Sequence, residues 1–223
     1  MNKLNHVAFI MDGNGRWGKK KKRGRNFGHI KGVETVKKMV NSSIKLKIPF
    51  VTFYVFSSEN WKRPKAEISF LFKLINNYFL EEIKSVISQD IRINILGDVN
   101  KLPKNIRNTL KKTIKLTKKN KKIIVNLAIN YGAKQEILLA FKKNKKKINV
   151  NNFENKLYTK NMPNPDILIR TGGQKRLSNF MLWQLAYTEL FFLNKLWPDF
   201  NTNDLKKIIT KFKNVKRNFG AIQ

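Results

Sequence analysis

The amino-terminal segment constrains the fold most, because an apolar run there ends abruptly in a polar turn that contains two glycines. Val7 to Met11 has the length and composition of a buried strand in a parallel sheet. Asp12 follows, and then the turn Gly13-Asn14-Gly15-Arg16. Open α/β sheets bind ligands at the carboxyl ends of their strands, and glycine lets a ligand approach the main chain. Exposed amides, Arg16 and Asp12 therefore predict a site for a phosphorylated, magnesium-bound ligand.

The alternative for this segment is an ordinary turn, since Asp and Asn beside Gly are common turn residues. The segment has neither the Gly-Lys-Ser/Thr ending of a Walker loop nor the Gly-x-Gly-x-x-Gly pattern of dinucleotide-binding folds. A phosphate site here must therefore be of another type.

Strand-like and helix-like segments alternate along the chain, which predicts an α/β fold with a mainly parallel sheet. Two of the predicted strands are long and rich in Val, Ile, Phe and Thr, as expected of a buried sheet. The six predicted strands are Val7–Asp12, Phe50–Ser57, Ile91–Gly97, Ile123–Asn130, Asp166–Arg170 and Glu189–Leu193.

Apolar residues recur at helical spacing in three segments between these strands, namely Val33–Ile44, Glu67–Ser88 and Leu205–Phe212. The second segment is apolar on more than one face, so we expect this helix to line an apolar cavity as well as the core. Thr202 is the predicted N-cap of the last helix. The polar stretch Lys142–Asn155 is predicted to be a surface loop or a frayed helix end.

Composition favours one domain over residues 1–223, with a core that needs no disulfides. The chain has no cysteine and only His6 and His29 as imidazoles, so thiolate sites are excluded and a zinc site is disfavoured. No apolar stretch approaches the ~20 residues of a membrane span, and the amino terminus is too polar for a signal peptide. We therefore expect a cytoplasmic protein.

The chain carries 47 Lys and Arg residues against 14 Asp and Glu, a formal net charge of +33. Taken alone, this excess favours nucleic acid or an anionic membrane as a partner. The lysines, however, occupy nearly every polar position, Asn is abundant, and Lys is used in preference to Arg. This distribution indicates compositional drift on solvated faces, so we expect no nucleic-acid partner. The charge should still attract anionic lipid and diphosphates at low salt.

Two further segments carry polar side chains directly after predicted strands. Phe56–Pro64 supplies hydroxyls, an amide and a guanidinium, and its alternative is a loop with one packed Trp. In Ile169–Phe180, paired glycines stand between Arg170 and Arg176. Guanidinium groups bind phosphate oxygens bidentately, so this segment predicts a diphosphate clamp, although a basic turn is the simpler alternative.

The last polar segment, Leu182–Phe192, holds Glu189 as a lone acid among apolar and aromatic residues. Such an acid is either an ordinary edge residue or a metal ligand. We expect this segment and the three others to converge on the same edge of one sheet.

These segments resemble the motifs of the cis-prenyltransferase family, of the bacterial undecaprenyl diphosphate synthase type. The resemblance covers nearly the whole chain in family order, and it implies an α/β sheet of about six mostly parallel strands, wrapped by helices, in a homodimer. The Asp-Asp-x-x-Asp boxes of the all-helical trans-prenyltransferases are absent from the sequence. The matching strings are His6–Trp17, Phe27–His29, Phe56–Trp61, Arg63–Pro64, Asn130–Gly132, Ile169–Gly173, Ser178–Phe180 and Trp197–Phe200.

The reaction implied by the resemblance joins isopentenyl diphosphate to an allylic diphosphate, usually farnesyl diphosphate. Each new double bond is cis, and the cycle repeats to a long polyprenyl diphosphate, here expected to be the undecaprenyl lipid carrier of cell-wall synthesis. A product of another length is the alternative. The implied cofactor is Mg²⁺, with Asp12 and Glu189 at the two metal-linked positions.

The resemblance also assigns the substrate contacts. The allylic diphosphate is assigned to Gly13, Asn14, Gly15, Arg16, Arg25 and His29, and the prenyl chain to Trp17 and Trp61. The substrate-contacting loop holds Ser57, Ser58, Glu59, Asn60 and Arg63. Isopentenyl diphosphate is assigned to Arg170, Arg176, Leu177 and Ser178. Asn60 matches a residue linked to proton removal, but an amide is a poor base, so we expect it to position water or a diphosphate oxygen as the acceptor.

The chain departs from the family pattern at three places. Gln174 stands where Glu is usual, Lys175 stands where His is commoner, and Asn218-Phe219-Gly220 replaces an Arg-x-Gly signature near the carboxyl terminus, with Arg217 one place early. The core set is intact, so we expect an active, though slower, enzyme. A non-catalytic partner subunit should lack the acid at Asp12, and a nucleic-acid-binding protein should carry a recognition motif, which is absent. Because the product is a long lipid, we also expect transient peripheral contact with the inner face of the membrane.

Overall fold

A fully parallel six-stranded sheet forms the centre of the part of the protein that the computed structural model describes, residues 2–143 and 148–217. The sheet has the order β3-β4-β2-β1-β5-β6. All six predicted strands are confirmed within two residues at each end. The strands are β1 (His6–Ile10), β2 (Phe50–Ser57), β3 (Ile91–Leu96), β4 (Ile123–Tyr131), β5 (Ile167–Arg170) and β6 (Glu189–Phe192).

Helices cover both faces of the sheet, and the three predicted helical segments are confirmed. Short 3₁₀ turns occur at Ser58–Lys62, Val99–Lys101 and Trp197–Asp199. Within the described ranges, no helix is both long enough and apolar enough to cross a membrane. The helices are α1 (Asn14–Lys20), α2 (Gly24–Lys45), α3 (Lys65–Ser88), α4 (Lys104–Thr117), α5 (Ala133–Lys143), α6 (Val150–Glu154) and α7 (Thr202–Lys213).

Two local predictions were wrong. Asn201, not Thr202, caps α7, because the Asn201 side chain accepts the backbone N–H groups of Asn203 and Asp204. The Thr202 hydroxyl instead pairs with the Ser42 hydroxyl at 2.7 Å. The stretch predicted as a loop contains the short helix α6, which a capping box at its first residues stabilises.

The strand alternation of β1 sends its side chains into two cores of unequal size. Val7 and Phe9 join the larger core on the face covered by α2, α3, α4 and α7, whereas Ala8 and Ile10 join a smaller core on the opposite face. All five residues of β1 are buried, as expected of a central parallel strand. The larger core is therefore the side on which α2 and α3 meet the sheet.

The connections make the carboxyl ends of β1 and β5 a switch point. β1 lies between β2 and β5, and the chain leaves β1 towards β2 but leaves β5 towards β6, on the other side. In open α/β sheets the crevice at such a point is the usual ligand site. The residues after β1 and after β5 are therefore the expected ligand-binding residues.

A series of buried hydrogen bonds holds the amino end of β1 in place. Nδ1 of His6 lies 2.8 Å from the carbonyl of Pro163, and Nε2 lies 2.7 Å from the Thr52 hydroxyl. The carbonyl can only accept, so Nδ1 carries the proton and Thr52 donates to Nε2. The Thr52 oxygen in turn accepts from the Asn126 side chain at 3.1 Å. Desolvation of the buried ring lowers the pKa of His6 from 6.5 to about 4.

This network makes the stability of the fold depend on pH. The native pKa of His6 is lowered, so the neutral ring contributes its full stabilisation above about pH 6.5. This stabilisation is lost as the pH falls towards about 4. We predict that the free energy of unfolding falls by roughly 2–4 kcal/mol through this group between pH 7 and pH 4, as measured by urea denaturation. The variant His6→Asn, which does not titrate, should show a shallower pH dependence. Equal pH dependence in the two proteins would contradict the assignment.

Candidate active site

Two glycine-containing turns meet at the switch point. The Thr171 hydroxyl donates to the backbone carbonyl of Asp12 at 2.8 Å. Gly172 has a φ of +88°, and a Cβ on it would lie 2.5 Å from Nη2 of Arg16 and 3.0 Å from the side chain of Asp12. Only glycine permits both this conformation and this approach. The amino-terminal turn and the paired-glycine turn are thus in direct contact, which confirms that these two polar segments share one edge.

The carboxylate of Asp12 joins the cationic side chains of both turns. Nη2 of Arg170 donates to one carboxylate oxygen and Nη2 of Arg16 to the other, each at 3.0 Å. Arg170 is only 4% exposed, and its Nη1 also donates to the Ser178 hydroxyl at 2.8 Å and to the carbonyl of Arg176. A nearly buried guanidinium with these partners has a fixed orientation, so it is preorganised for an anion that enters the crevice.

A cradle of about 380 Å³ of empty space adjoins these residues on the α2 side. Gly13 begins the cradle with a φ of +111°, and a Cβ on it would lie 2.8 Å from the Leu196 side chain, so this turn also requires glycine. The Asn14 amide oxygen is buried in the cradle region without a hydrogen-bond partner in the described residues. The lining consists of Met11, Asp12, Gly13, Asn14, Gly15, Arg16, Arg25, His29 and Arg63.

Glu67 binds cationic side chains from α2 and from the segment just before α3. Arg25 donates to both Glu67 oxygens, at 3.2 and 3.1 Å, and Arg63 donates to one of them at 3.1 Å. Nε2 of His29 lies 3.5 Å away. Desolvation lowers the pKa of His29 below its ordinary 6.5, which favours the neutral ring. The sequence reasoning missed Glu67, although it lies four residues after Arg63, at the start of a helix.

The loop after β2 reaches the same edge through its own hydrogen bonds. The backbone N–H of Ser57 donates to the Asn60 side-chain oxygen at 3.1 Å, and Ser58 donates to Glu59 at 3.0 Å. Glu59 also accepts from Asn179 at 2.8 Å, which ties this loop to the segment after β5. Since the Asn60 oxygen is engaged, the remaining polar atom of its amide is Nδ2, a donor that cannot take up a proton.

Both tryptophans assigned to the prenyl chain lie away from the apolar cavity. Trp17 stacks on Phe27 with 5.8 Å between ring centroids, and its indole N–H donates to Asp199 at 2.7 Å. The indole N–H of Trp61 donates to Asn130 at 2.8 Å, and its ring lines a separate groove between α3 and α4. Neither ring lines the cavity described next.

An apolar cavity with about 720 Å³ of empty space lies between α2, α3 and the sheet, as predicted for the α3 helix. Next to it is a polar crevice of about 780 Å³ that holds Asp12, Asn60, Arg63, Arg170 and Ser178. The two spaces share five lining residues, so the polar edge and the apolar space are direct neighbours. The shared residues are Met11, Asn14, His29, Val55 and Leu71, and the cavity continues past Val33, Val36, Leu74, Ile75, Tyr78 and Phe79.

Tyr54 also lines the polar crevice, although sequence reasoning did not single it out. Its hydroxyl donates to the carbonyls of Ser178 and Tyr131, at 3.2 and 3.3 Å. Desolvation of the ring raises the pKa of Tyr54 above its ordinary 10, so the hydroxyl stays protonated. Tyr54 thereby fixes the backbone of the residue that Arg170 contacts.

Glu189 does not share this edge, so the expected convergence of all four polar segments is wrong. It is the first residue of β6 and pairs with Ile167, the first residue of β5, whereas Arg170 is the last. At about 3.3 Å per strand residue, Glu189 and Arg170 are roughly 10 Å apart along the strand direction. Asp12 lies beyond Arg170 in that direction, so it is farther still from Glu189. Glu189 faces Arg217 instead, with 3.7 Å between Nε and the carboxylate.

Asp12 is the carboxylate among the described residues that line the crevice, and so the candidate ligand for a magnesium ion. In the described residues, no three His, Asp or Glu side chains gather as a metal site. Mg²⁺, however, is commonly held by one or two carboxylates together with substrate phosphates and water. Asp12 lines both the crevice and the cradle, and a carboxylate that accepts two hydrogen bonds keeps lone pairs for a metal. Asp12 therefore fits such an ion, and Glu189 of the same chain does not.

The departures from the family pattern lie beside Arg176. Its Nη1 donates to the Gln174 side-chain oxygen at 2.6 Å, so an amide here occupies the place of the usual carboxylate. A neutral partner leaves the charge of Arg176 uncompensated. Leu177 packs against the smaller core. The segment Asn218-Phe219-Gly220 lies outside the described residues.

Comparisons with known proteins identify the family of the chain. Residues 10–220 match the sequence profile of the Prenyltransf family, described as "Putative undecaprenyl diphosphate synthase". The chain is 44% identical over 227 residues to the isoprenyl transferase of Clostridium tetani, an alignment that covers 97% of this chain and 89% of that protein. The chain therefore belongs to the undecaprenyl diphosphate synthase family of prenyltransferases, as the motifs indicated.

Two solved structures have the same fold. Lavandulyl diphosphate synthase from Lavandula x intermedia, in complex with dimethylallyl diphosphate, superposes with a TM-score of 0.93 and 33% identity, over 97% of this chain and 98% of that chain. A probable undecaprenyl diphosphate synthase from Campylobacter jejuni gives a TM-score of 0.85 and 35% identity, over 99% of this chain and 100% of that chain.

Proposed function

We propose that the protein catalyses cis-prenyl chain elongation, in which isopentenyl diphosphate is condensed repeatedly onto an allylic diphosphate. The observation that carries the proposal is that the cationic crevice adjoins the apolar cavity between α2 and α3, with five lining residues in common. A cationic crevice beside an apolar cavity suits a substrate that has a polyanionic head and a growing hydrocarbon tail. The relatives support it, because one is an isoprenyl transferase and another was solved with dimethylallyl diphosphate. Farnesyl diphosphate is the proposed primer and undecaprenyl diphosphate the proposed product.

The allylic diphosphate belongs in the cradle at the turn after β1. As its C–O bond breaks, negative charge grows on the leaving diphosphate. Arg16, Arg25 and Arg63 already stand around that space, so they stabilise this charge without reorganising. The prenyl tail then extends past Met11 and Leu71 into the apolar cavity.

Isopentenyl diphosphate belongs beside Arg170, Arg176 and Ser178. Since the two turns touch, the double bond of this substrate can be held against C1 of the allylic group, which replaces a chance encounter by a fixed geometry. The new C–C bond forms as the C–O bond breaks, and one proton is then lost from C2 of the isopentenyl unit. Asn60 orients this step, and the proton passes to a diphosphate oxygen or to water.

Mg²⁺ is the proposed cofactor, held by Asp12 together with substrate phosphate oxygens. When bound, it neutralises part of the charge on the diphosphate leaving group. Arg16 and Arg170 hold the Asp12 carboxylate between the two turns, so the residue is fixed before substrate enters.

Turnover tests the function directly. Incubation with farnesyl diphosphate, labelled isopentenyl diphosphate and Mg²⁺ should yield extended products, whose sizing on chromatography also decides between undecaprenyl and another length. We predict that Asp12→Ala lowers turnover roughly 100-fold or more, since it removes the residue that joins the two turns. Glu34→Ala is the matched control, because within the described part of the chain Glu34 pairs only with Lys31 on α2. No extension by the wild-type chain would refute the function, and full activity of Asp12→Ala would refute the role of the carboxylate.

A homodimer is proposed through exposed apolar residues of α5 and of the edge strand β6. Leu138 and Phe141 on α5 are 61% and 58% exposed, and Leu190 lies on β6, which is an edge strand of the sheet. Exposed apolar side chains and an open strand edge are each typical of a surface that a partner covers. We predict that Leu138→Glu with Phe141→Glu gives a monomer in sedimentation equilibrium. Leu80→Glu, at an equally exposed position on α3, should remain dimeric, and a monomeric wild-type chain would contradict the proposal.

Transient contact of this otherwise cytoplasmic protein with the inner face of the membrane is proposed because the product is a long lipid and the chain carries a formal net charge of +33. We predict that the protein floats with vesicles of anionic phospholipid at low salt, that 0.5 M salt releases it, and that neutral vesicles do not bind it. Absence of binding to the anionic vesicles would remove this part of the proposal.

A further inference from the structure

The carboxylate of Glu67 is the common partner of three side chains that line the cradle. Arg25 contacts it with two nitrogens, Nε at 3.2 Å and Nη2 at 3.1 Å, and Arg63 contacts it with Nη1 at 3.1 Å. His29 approaches within 3.5 Å. Glu67 lies in the first turn of α3, whereas Arg25 and His29 lie on α2. One acid thus sets the position of groups from two elements.

The hydrogen bonds of Arg25 leave one side of its guanidinium for a ligand. Nε and Nη2 donate to Glu67, and the guanidinium lies against Gly15, where a Cβ would be 2.8 Å from Cζ and 2.9 Å from Nη1. Gly15 belongs to the turn that forms the cradle. The pair with Glu67 therefore directs the other donor edge of Arg25 towards the space for a diphosphate.

Glu67 itself stands behind the cradle. Arg25, His29 and Arg63 line that space, and Glu67 does not. Its side chain is only 11% exposed. Burial alone would raise the pKa of Glu67, but the hydrogen bond and charge of Arg25 and the charge of Arg63 outweigh it, so the pKa is lowered and the group is ionised. An anion in this place can hold the arginines without occupying the ligand site.

We propose that Glu67 is the positioning residue of the allylic diphosphate site, which fixes Arg25 and Arg63 so that their free donors converge on the diphosphate. The proposal deepens the proposed function and rests on it for the identity of the substrate. It assigns no contact between Glu67 and the substrate.

Two other roles would predict different behaviour. If Glu67 competed with the diphosphate for the arginines, its removal would strengthen anion binding, and so would the loss of one negative charge near the site. If Glu67 merely joined α2 to α3, any ion pair between these helices would serve as well. Lys37 and Glu82 form such a pair, at 2.6 Å, between the same two helices and outside the cradle.

Binding of inorganic diphosphate to the full-length chain, measured by isothermal titration calorimetry, separates these roles. We expect Glu67→Gln, which keeps the size of the side chain, to weaken binding about tenfold, although it makes the site more cationic. Glu82→Gln, the matched control, should bind within twofold of the wild type. Equal or tighter binding by Glu67→Gln would overturn the proposal, and so would an equal loss in Glu82→Gln. Thermal midpoints of both variants show that each is folded.

Steady-state kinetics supply a second readout that a merely structural role would not move selectively. In Glu67→Gln, KM for farnesyl diphosphate should rise about tenfold while KM for isopentenyl diphosphate stays within twofold, because Arg170 and Arg176 do not contact Glu67. A parallel rise in both constants would overturn the proposal. If the wild-type chain showed no prenyl transfer, the proposed function would fail, whereas the diphosphate titration would still decide the role of Glu67.

Discussion

The contact between Asp12 and Arg170 is the interaction on which the site depends. It joins the turn after β1 to the turn after β5, and Arg170 is almost wholly buried when it does so. A buried guanidinium without its carboxylate would be strongly unfavourable, so the pair fixes both turns in the folded protein before any ligand arrives. Asp12 thus holds Arg16 and Arg170 in place, whereas Glu67 holds Arg25 and Arg63.

The sheet explains why that contact can form. β1 and β5 are parallel neighbours in register, with Ile10 beside Arg170, so their carboxyl ends come out side by side. Both strands are buried on both faces, which holds the ends at a fixed spacing. The larger core lies on the side of α2 and α3, and the space left between these helices and the sheet is the apolar cavity. Polar crevice and apolar cavity are therefore consequences of one arrangement of strands.

Much of this arrangement could be predicted from local sequence. Continuous apolar runs fix β1, β2 and β4, and the rule for the carboxyl ends of parallel strands places Asp12 near the glycines after Arg170. The same rule gave a wrong result for Glu189, because that residue begins its strand instead of following it. The predicted strand Glu189–Leu193 already began at this acid, so the rule for carboxyl ends did not apply to it.

Other features of the site depend on tertiary contacts that no local sequence pattern encodes. Trp17 and Trp61 carry indole groups that find hydrogen-bond partners far along the chain, Asp199 and Asn130, and these bonds hold both rings off the cavity. In the sequence Tyr54 is an ordinary strand residue, yet in the structure its hydroxyl donates a hydrogen bond to the carbonyl of Ser178. Glu67 was overlooked because an acid in the first turn of a helix is common, whereas its importance comes from Arg25 on another helix.

The most direct test of the account is a crystal structure with a non-reactive thio analogue of farnesyl diphosphate. The account predicts that the diphosphate lies at the turn after β1, within hydrogen-bond distance of Arg16 and Arg25. The prenyl chain should run between α2 and α3, past Leu71. A chain lying instead in the groove between α3 and α4, against Trp61, or a diphosphate away from both glycine turns, would contradict it.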